Sequence, residues 1–212
     1  MGNILSTAEA KPTFTTTVKG FPENHSLWND EATTSAWTTM DLSKLGDYFA
    51  MESRQEGLSM FAVVDGKIVG ERLVEPLTNF ISLMTPAHIA EFKPHLGPLV
   101  GCTEFAVEKI KTWLLAKGVD PATVAHFCGL AVDPAFRGKG LATQLVAETI
   151  KHLQQLGYKY AVVETTGDGS RKAMEKNGAT QLGFINYADY CAEHGYAAVE
   201  GHLGYGVYVI QL

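Results

Sequence analysis

The chain has 212 residues, 46% of them hydrophobic, with a formal net charge of −6. That length suits one domain, no apolar run reaches the ~18 residues a membrane span needs, and the acidic balance argues against general nucleic-acid binding. Cys102, Cys128 and Cys191 are odd in number and far apart, which suits reduced thiols in the cytoplasm rather than a disulfide framework.

Residues 1–12 read as a flexible tail ahead of a single domain over 13–212. The opening Met1-Gly2-Asn3-Ile4-Leu5-Ser6 fits the myristoylation pattern and lacks the long apolar core of a secretory signal. Membrane contact is expected only if Gly2 is acylated. Lys11 is the one lysine of the tail, so no polybasic patch reinforces a single acyl chain.

Thr13 to Val18 is β-branched and aromatic and predicts a first strand. Residues 24–37 suit a helix or an ordered loop, and Asp41 can cap a helix carrying Leu42, Leu45, Tyr48 and Phe49. A hairpin follows, Met60–Val64 and Lys67–Val74 around Asp65-Gly66, the strongest short hairpin signal there is. Residues 75–102 hold four prolines and suggest only helical pieces around His88–Phe92. Thr103–Lys117 predicts a helix stopped by Gly118, and Val124–Val132 an apolar strand. The next helix puts Leu145, Val146, Ile150 and Leu153 inward and ends at Gly157. Tyr158–Glu164 predicts a strand, Ser170–Asn177 a short helix, Gln181–Tyr187 a strand, and Tyr205–Leu212 an edge or final strand. The sum is an α/β domain with a mixed sheet and helices on both faces.

Between the strand 124–132 and its helix lies Arg137-Gly138-Lys139-Gly140-Leu141-Ala142. Small residues at 138, 140 and 142 allow close approach of a ligand to the backbone. First-turn amides lack intrahelical partners at the helix's positive end and suit phosphate oxygens. The spacing is neither Gly-x-x-x-x-Gly-Lys-Ser/Thr nor Gly-x-Gly-x-x-Gly. A plain strand-loop-helix joint with turn glycines is the alternative. The seven histidines show no zinc-ligand spacing, so no metal is expected.

The stretch Leu130-Ala-Val-Asp-Pro through Arg137-Gly-Lys-Gly-Leu-Ala142 resembles the pyrophosphate loop of the Gcn5-related N-acetyltransferases (GNAT). Within that superfamily, Met174-Glu-Lys-Asn-Gly-Ala179, Ile185-Asn-Tyr-Ala-Asp-Tyr190 and Trp28-Asn-Asp-Glu31 are similar to segments of the insect-type arylalkylamine branch. The resemblance implies the GNAT fold, with acetyl-coenzyme A between two splayed parallel strands, here 124–132 and 158–164. Main chain at Leu130, Ala131 and Val132 would hold its pantetheine arm. Arg137, Gly138, Lys139, Gly140, Leu141 and Ala142 would hold the pyrophosphate; Lys139 is equally well a solvated loop lysine.

The implied activity is acetylation of a small primary amine by direct transfer, with Glu31 as general base and Glu164 as the next carboxylate. A surface Asp-Glu pair capping a helix is the other reading of Glu31. Many members carry a tyrosine as the acid where this chain has Met174, which cannot donate a proton. Ser170, Tyr187 and Tyr190 are the remaining acid candidates, each also readable as a cap or a packed aromatic. Cys128 reads as a small core residue. Trp28, Trp37, Phe49 and Phe80 suit an acceptor pocket or the core. A cofactor-binding module without chemistry, and an enzyme acting on a protein or antibiotic amine, remain as alternatives.

Overall fold

A computed structural model of the chain describes residues 11–16 and 57–212, apart from 88, 91, 92 and 94–96. The segments expected over 17–18, 24–37 and 41–49, with Glu31, Trp28, Trp37 and Phe49, lie outside the described residues.

Among the described residues seven strands form one sheet in the order β1-β2-β3-β4-β5-β7-β6. The first three are β1 (Thr13–Thr15), β2 (Met60–Val64) and β3 (Lys67–Pro76). Asp65 and Gly66 join β2 to β3 with φ values of 49° and 76°. Two left-handed residues in a row match the twist of the strands they connect, which is why Asp-Gly marks the turn. β3 then runs into α1 (Leu77–Leu83) and, further on, α2 (Pro98–Lys117). That second helix starts at Pro98 rather than the expected Thr103, with proline in its first turn, where a missing N–H costs nothing. It ends at Gly118 in the left-handed conformation, as the sequence predicts.

β4 (Val124–Val132) leads through the glycine loop to α3 (Leu141–Gln155), then β5 (Tyr160–Thr165) and α4 (Asp168–Lys176). In α3, Leu145, Val146 and Leu153 are fully buried. Thr149 joins them, its hydroxyl donating to the Leu145 carbonyl at 2.7 Å, while Ile150 is only partly covered. β6 (Thr180–Asn186), α5 (Tyr187–His194) and β7 (Gly204–Gln211) complete the chain. Two expectations are corrected here. Tyr187 opens a helix instead of ending a strand, because the Asn186 side chain accepts the amides of Ala188 and Asp189 and caps it. β7 is the final strand, as one of the two alternatives has it, but not an edge: it lies between β5 and β6, and all but its last residue are buried.

Helices cover both faces. Leu77, Cys102, Ala106, Ile110 and Cys191 of α1, α2 and α5 pack on Val124, Val162 and Val207. Val146, Leu153, Ala173 and Met174 of α3 and α4 pack on Ala125, Phe127, Ala161 and Val163 of the opposite face. Among the described residues no helix is long and apolar enough to cross a membrane.

Candidate active site

The sheet opens at its one parallel junction. β4 and β5 pair from Val124↔Tyr160 to Phe127↔Val163 and no further. Past that point β4 stays paired to β3 as far as Val132, and β5 to β7 as far as Thr165. The cause is a bulge. Leu73 pairs with Gly129 and Val74 with Phe127, so Cys128 is an extra residue on β4. An extra residue bends its strand and reverses the alternation beyond it. Phe127 faces α3 and α4, and past the bulge Leu130 and Val132 face that same side. The strands therefore part, as the resemblance implies, and leave one edge of β4 without its neighbour.

The glycine loop lies at the far end of that edge. Asp133 accepts the Ala135 amide at 2.8 Å and fixes the turn. Arg137 folds back, its Nε donating to the Val132 carbonyl at 2.8 Å. Gly138 and Gly140 have φ values of 77° and 79°, and a Cβ on either would meet nothing within 4 Å. Glycine is required for the backbone angle, and the space above the loop is open. Gly140 caps α3 without any side-chain hydrogen bond, so the first-turn amides keep their donors. Open space, bare amides and an unpaired strand edge fit a phosphate-bearing, extended co-substrate.

At the point of parting stands a buried charged network that sequence reasoning only half found. His126 on β4 is hydrogen-bonded through Nδ1 to Glu75 at 2.8 Å and through Nε2 to Glu164 at 2.7 Å. Phe80 stacks on its ring with centroids 4.0 Å apart; that residue, a candidate for the acceptor pocket, is buried against the imidazole. The sequence points to Glu164 as the second carboxylate, and not to His126 or Glu75. Their signal is a histidine and a glutamate inside strands whose neighbouring residues are apolar, Ala125 and Phe127 beside His126 and Leu73 and Val74 before Glu75; such groups must pair when buried. Cys128 Sγ lies near them: one ligand atom each from Glu75, His126 and Cys128 fall within 4.8 Å of one another. Both imidazole nitrogens already face carboxylates, so the cluster is organised for protons.

Burial pulls the His126 pKa down, but Glu164 and then Glu75 outweigh it by charge and hydrogen bonding, and the net value rises to about 9. The folded state thus keeps a proton that the unfolded chain releases near ~6.5. Stability from this group is complete below ~6.5 and is lost as pH rises through about 9. The unfolding midpoint of the wild type is expected to fall across that window, and His126→Gln to remove that part of the slope. Equal slopes in both proteins would show that His126 is not protonated in the fold.

The acid candidates are all engaged. Ser170 Oγ donates to the Gly167 carbonyl at 2.9 Å, in the first turn of α4. Tyr187 Oη donates to the Thr166 carbonyl at 3.0 Å, just past β5, and Tyr190 Oη to that of Pro98 at 3.2 Å. Met174 is fully buried, in the same packed cluster as Phe127. Lys139 sits 5.8 Å from the Phe136 ring.

Residues 22–179 match the acetyltransferase (GNAT) family. No curated protein matches the sequence. The fold is similar to that of the Drosophila melanogaster polyamine N-acetyltransferase, which forms N-acetylagmatine, with a TM-score of 0.68 and 20% identity over 87% of this chain and 89% of that one. It is similar also to arylalkylamine N-acetyltransferase 2 from Aedes aegypti, with a TM-score of 0.65 and 19% identity over 87% and 88%. The match covers most of the described sheet together with its loop, and the chain belongs to the acetyltransferase (GNAT) family.

Proposed function

We propose that this chain is an acetyl-coenzyme A-dependent N-acetyltransferase acting on a small primary amine with an aryl or alkyl tail. The observation that carries this is the buried Glu164–His126–Glu75 network at the foot of the β4–β5 parting, with the glycine loop at its other end. Similarity in fold to enzymes named for polyamines and arylalkylamines supports the acceptor class, and the net charge of −6 suits a cation.

Residues 13–212 act as one catalytic domain in this reading. Main chain at Leu130, Ala131 and Val132 holds the pantetheine arm. The amides from Gly138 to Ala142, with the charges of Arg137 and Lys139, hold the pyrophosphate. The co-substrate supplies an activated acetyl group. The protein must do the rest: orient the amine and take its proton, because an ammonium has no lone pair. Two carboxylates suit that task. Glu31 does so by its resemblance to the arylalkylamine branch, Glu164 by standing at the parting with a histidine to pass the proton on. Among the acid candidates, Ser170 and Tyr187 lie nearest the end of β5 in the chain.

A thiol-release assay over tryptamine, tyramine, dopamine, polyamines, aminoglycosides and short peptides, beside calorimetry with acetyl-coenzyme A, tests this. Turnover is expected on one or more small amines. Turnover confined to peptides or aminoglycosides would overturn the acceptor and keep the reaction. Met174, buried where relatives carry an acid, favours one rival, a module that binds without chemistry. Binding with no turnover on any amine would establish it.

A further inference from the structure

Arg72 is the most conspicuous charge that neither the network nor the loop uses. It is 2% exposed, and among the described residues its Nε and Nη2 have no hydrogen-bond partner. Its guanidinium carbon stands 4.2 Å above the Phe127 ring. That contact satisfies the face of the cation and leaves its N–H edge bare. Burial lowers the Arg72 pKa to about 9, against the opposing charges of Cys128 and Glu164, so the group is still a cation at neutral pH. A buried cation with idle donors is costly unless an anion arrives to meet it.

Its place in the fold says where that anion arrives. Arg72 pairs across the ladder with Leu130, in the stretch of β4 that has lost β5. Phe127, beneath the guanidinium, is the last residue of β4 still paired to β5. The guanidinium therefore stands where the two strands part. Phe127 belongs to the same packed cluster as Met174, the residue that leaves this chain without the usual acid.

We propose that Arg72 stabilises the departing coenzyme A thiolate, by charge and by its N–H edge, in place of an acid. This rests on the function proposed above. In the step, the amine nitrogen forms a bond to the acetyl carbonyl carbon and gives its proton to the carboxylate base. The carbon–sulfur bond breaks, and its electron pair stays on sulfur. The thiolate leaves paired with Arg72 and is protonated by water after release. A fixed cation aimed at developing charge is an effective form of catalysis in a dry site, and it requires no group able to donate a proton.

The test is the thiol titration of bound coenzyme A, followed by thiolate ultraviolet absorbance, with the desulfo-coenzyme A complex as blank for the protein's own cysteines. Wild type is expected to hold the thiol below the free value of ~8.5. Arg72→Met is expected to return it to that value or above, lowering the thiolate fraction at neutral pH about tenfold or more. Arg72→Lys keeps a charge without the fork and should fall between them; it carries the test alone if Arg72→Met does not fold. A bound thiol that titrates as free coenzyme A, or one unmoved by either substitution while turnover is lost, would overturn the role of Arg72 alone. Failure of wild type to bind either ligand would overturn the proposed function as well.

Discussion

Gly140→Asp is expected to abolish acetyl-coenzyme A binding while the fold survives. Position 140 has a φ of 79° and caps α3. Aspartate is among the residues that tolerate this backbone angle, and it is also a favoured cap. The new carboxylate accepts the first-turn amides, the donors a pyrophosphate needs, and sets a like charge beside it. Two unit charges ~4 Å apart at an effective dielectric of ~20 repel by about 4 kcal/mol, or about 10³-fold in affinity. Calorimetry should find no heat of binding at micromolar protein, with an unfolding midpoint near that of wild type. Gly140→Ala adds no charge and should bind more weakly only through backbone strain. An aspartate variant that binds within tenfold of wild type would remove the loop from the cofactor site.

The second large effect separates the two carboxylates. Substituting the true base by its amide is expected to lower turnover by about 10²–10⁴-fold at neutral pH, with cofactor affinity unchanged. Glu164→Gln keeps a hydrogen-bonding group 2.7 Å from His126, yet it cannot take a proton. It also removes the first of the two carboxylates that raise His126, so the pH dependence of its residual turnover should shift downward. Glu31→Gln leaves Glu164 and Glu75, the two carboxylates that raise His126, in place, so its residual turnover is expected to keep the wild-type pH dependence. Wild-type turnover in both variants would exclude carboxylate catalysis at either position.

What the sequence revealed was mostly local. Asp65-Gly66, Gly118 and Gly157 mark backbone angles that few other residues adopt, and each delimits its element as expected. The loop 137–142 is likewise a run of neighbours whose chemistry can be listed in order. What escaped depended on pairing between distant segments. A strand's own residues do not say that its partner lies 51 residues upstream or 38 downstream, so the meeting of Glu75, His126 and Glu164 is invisible in the sequence although each residue is in plain view. The position of β7 inside the sheet is of the same kind. The helix at Tyr187 is different: Asn186 capping Ala188 and Asp189 is a local signal, and it was overridden by the aromatic β propensity around it.

The extra residue at Cys128 stores its information as a count. Any side chain that tolerates a half-buried surface keeps β4 bent there, because two residues still stand opposite one. Removing the residue restores an uninterrupted ladder, keeps Gly129 through Val132 opposite their present partners on β3, and presents β5 with a regular neighbour along its whole length. The crevice is thus indifferent to most spelling changes at this position and intolerant of a change in frame. Within a lineage of such chains, length across this segment should vary far less than the letters written in it.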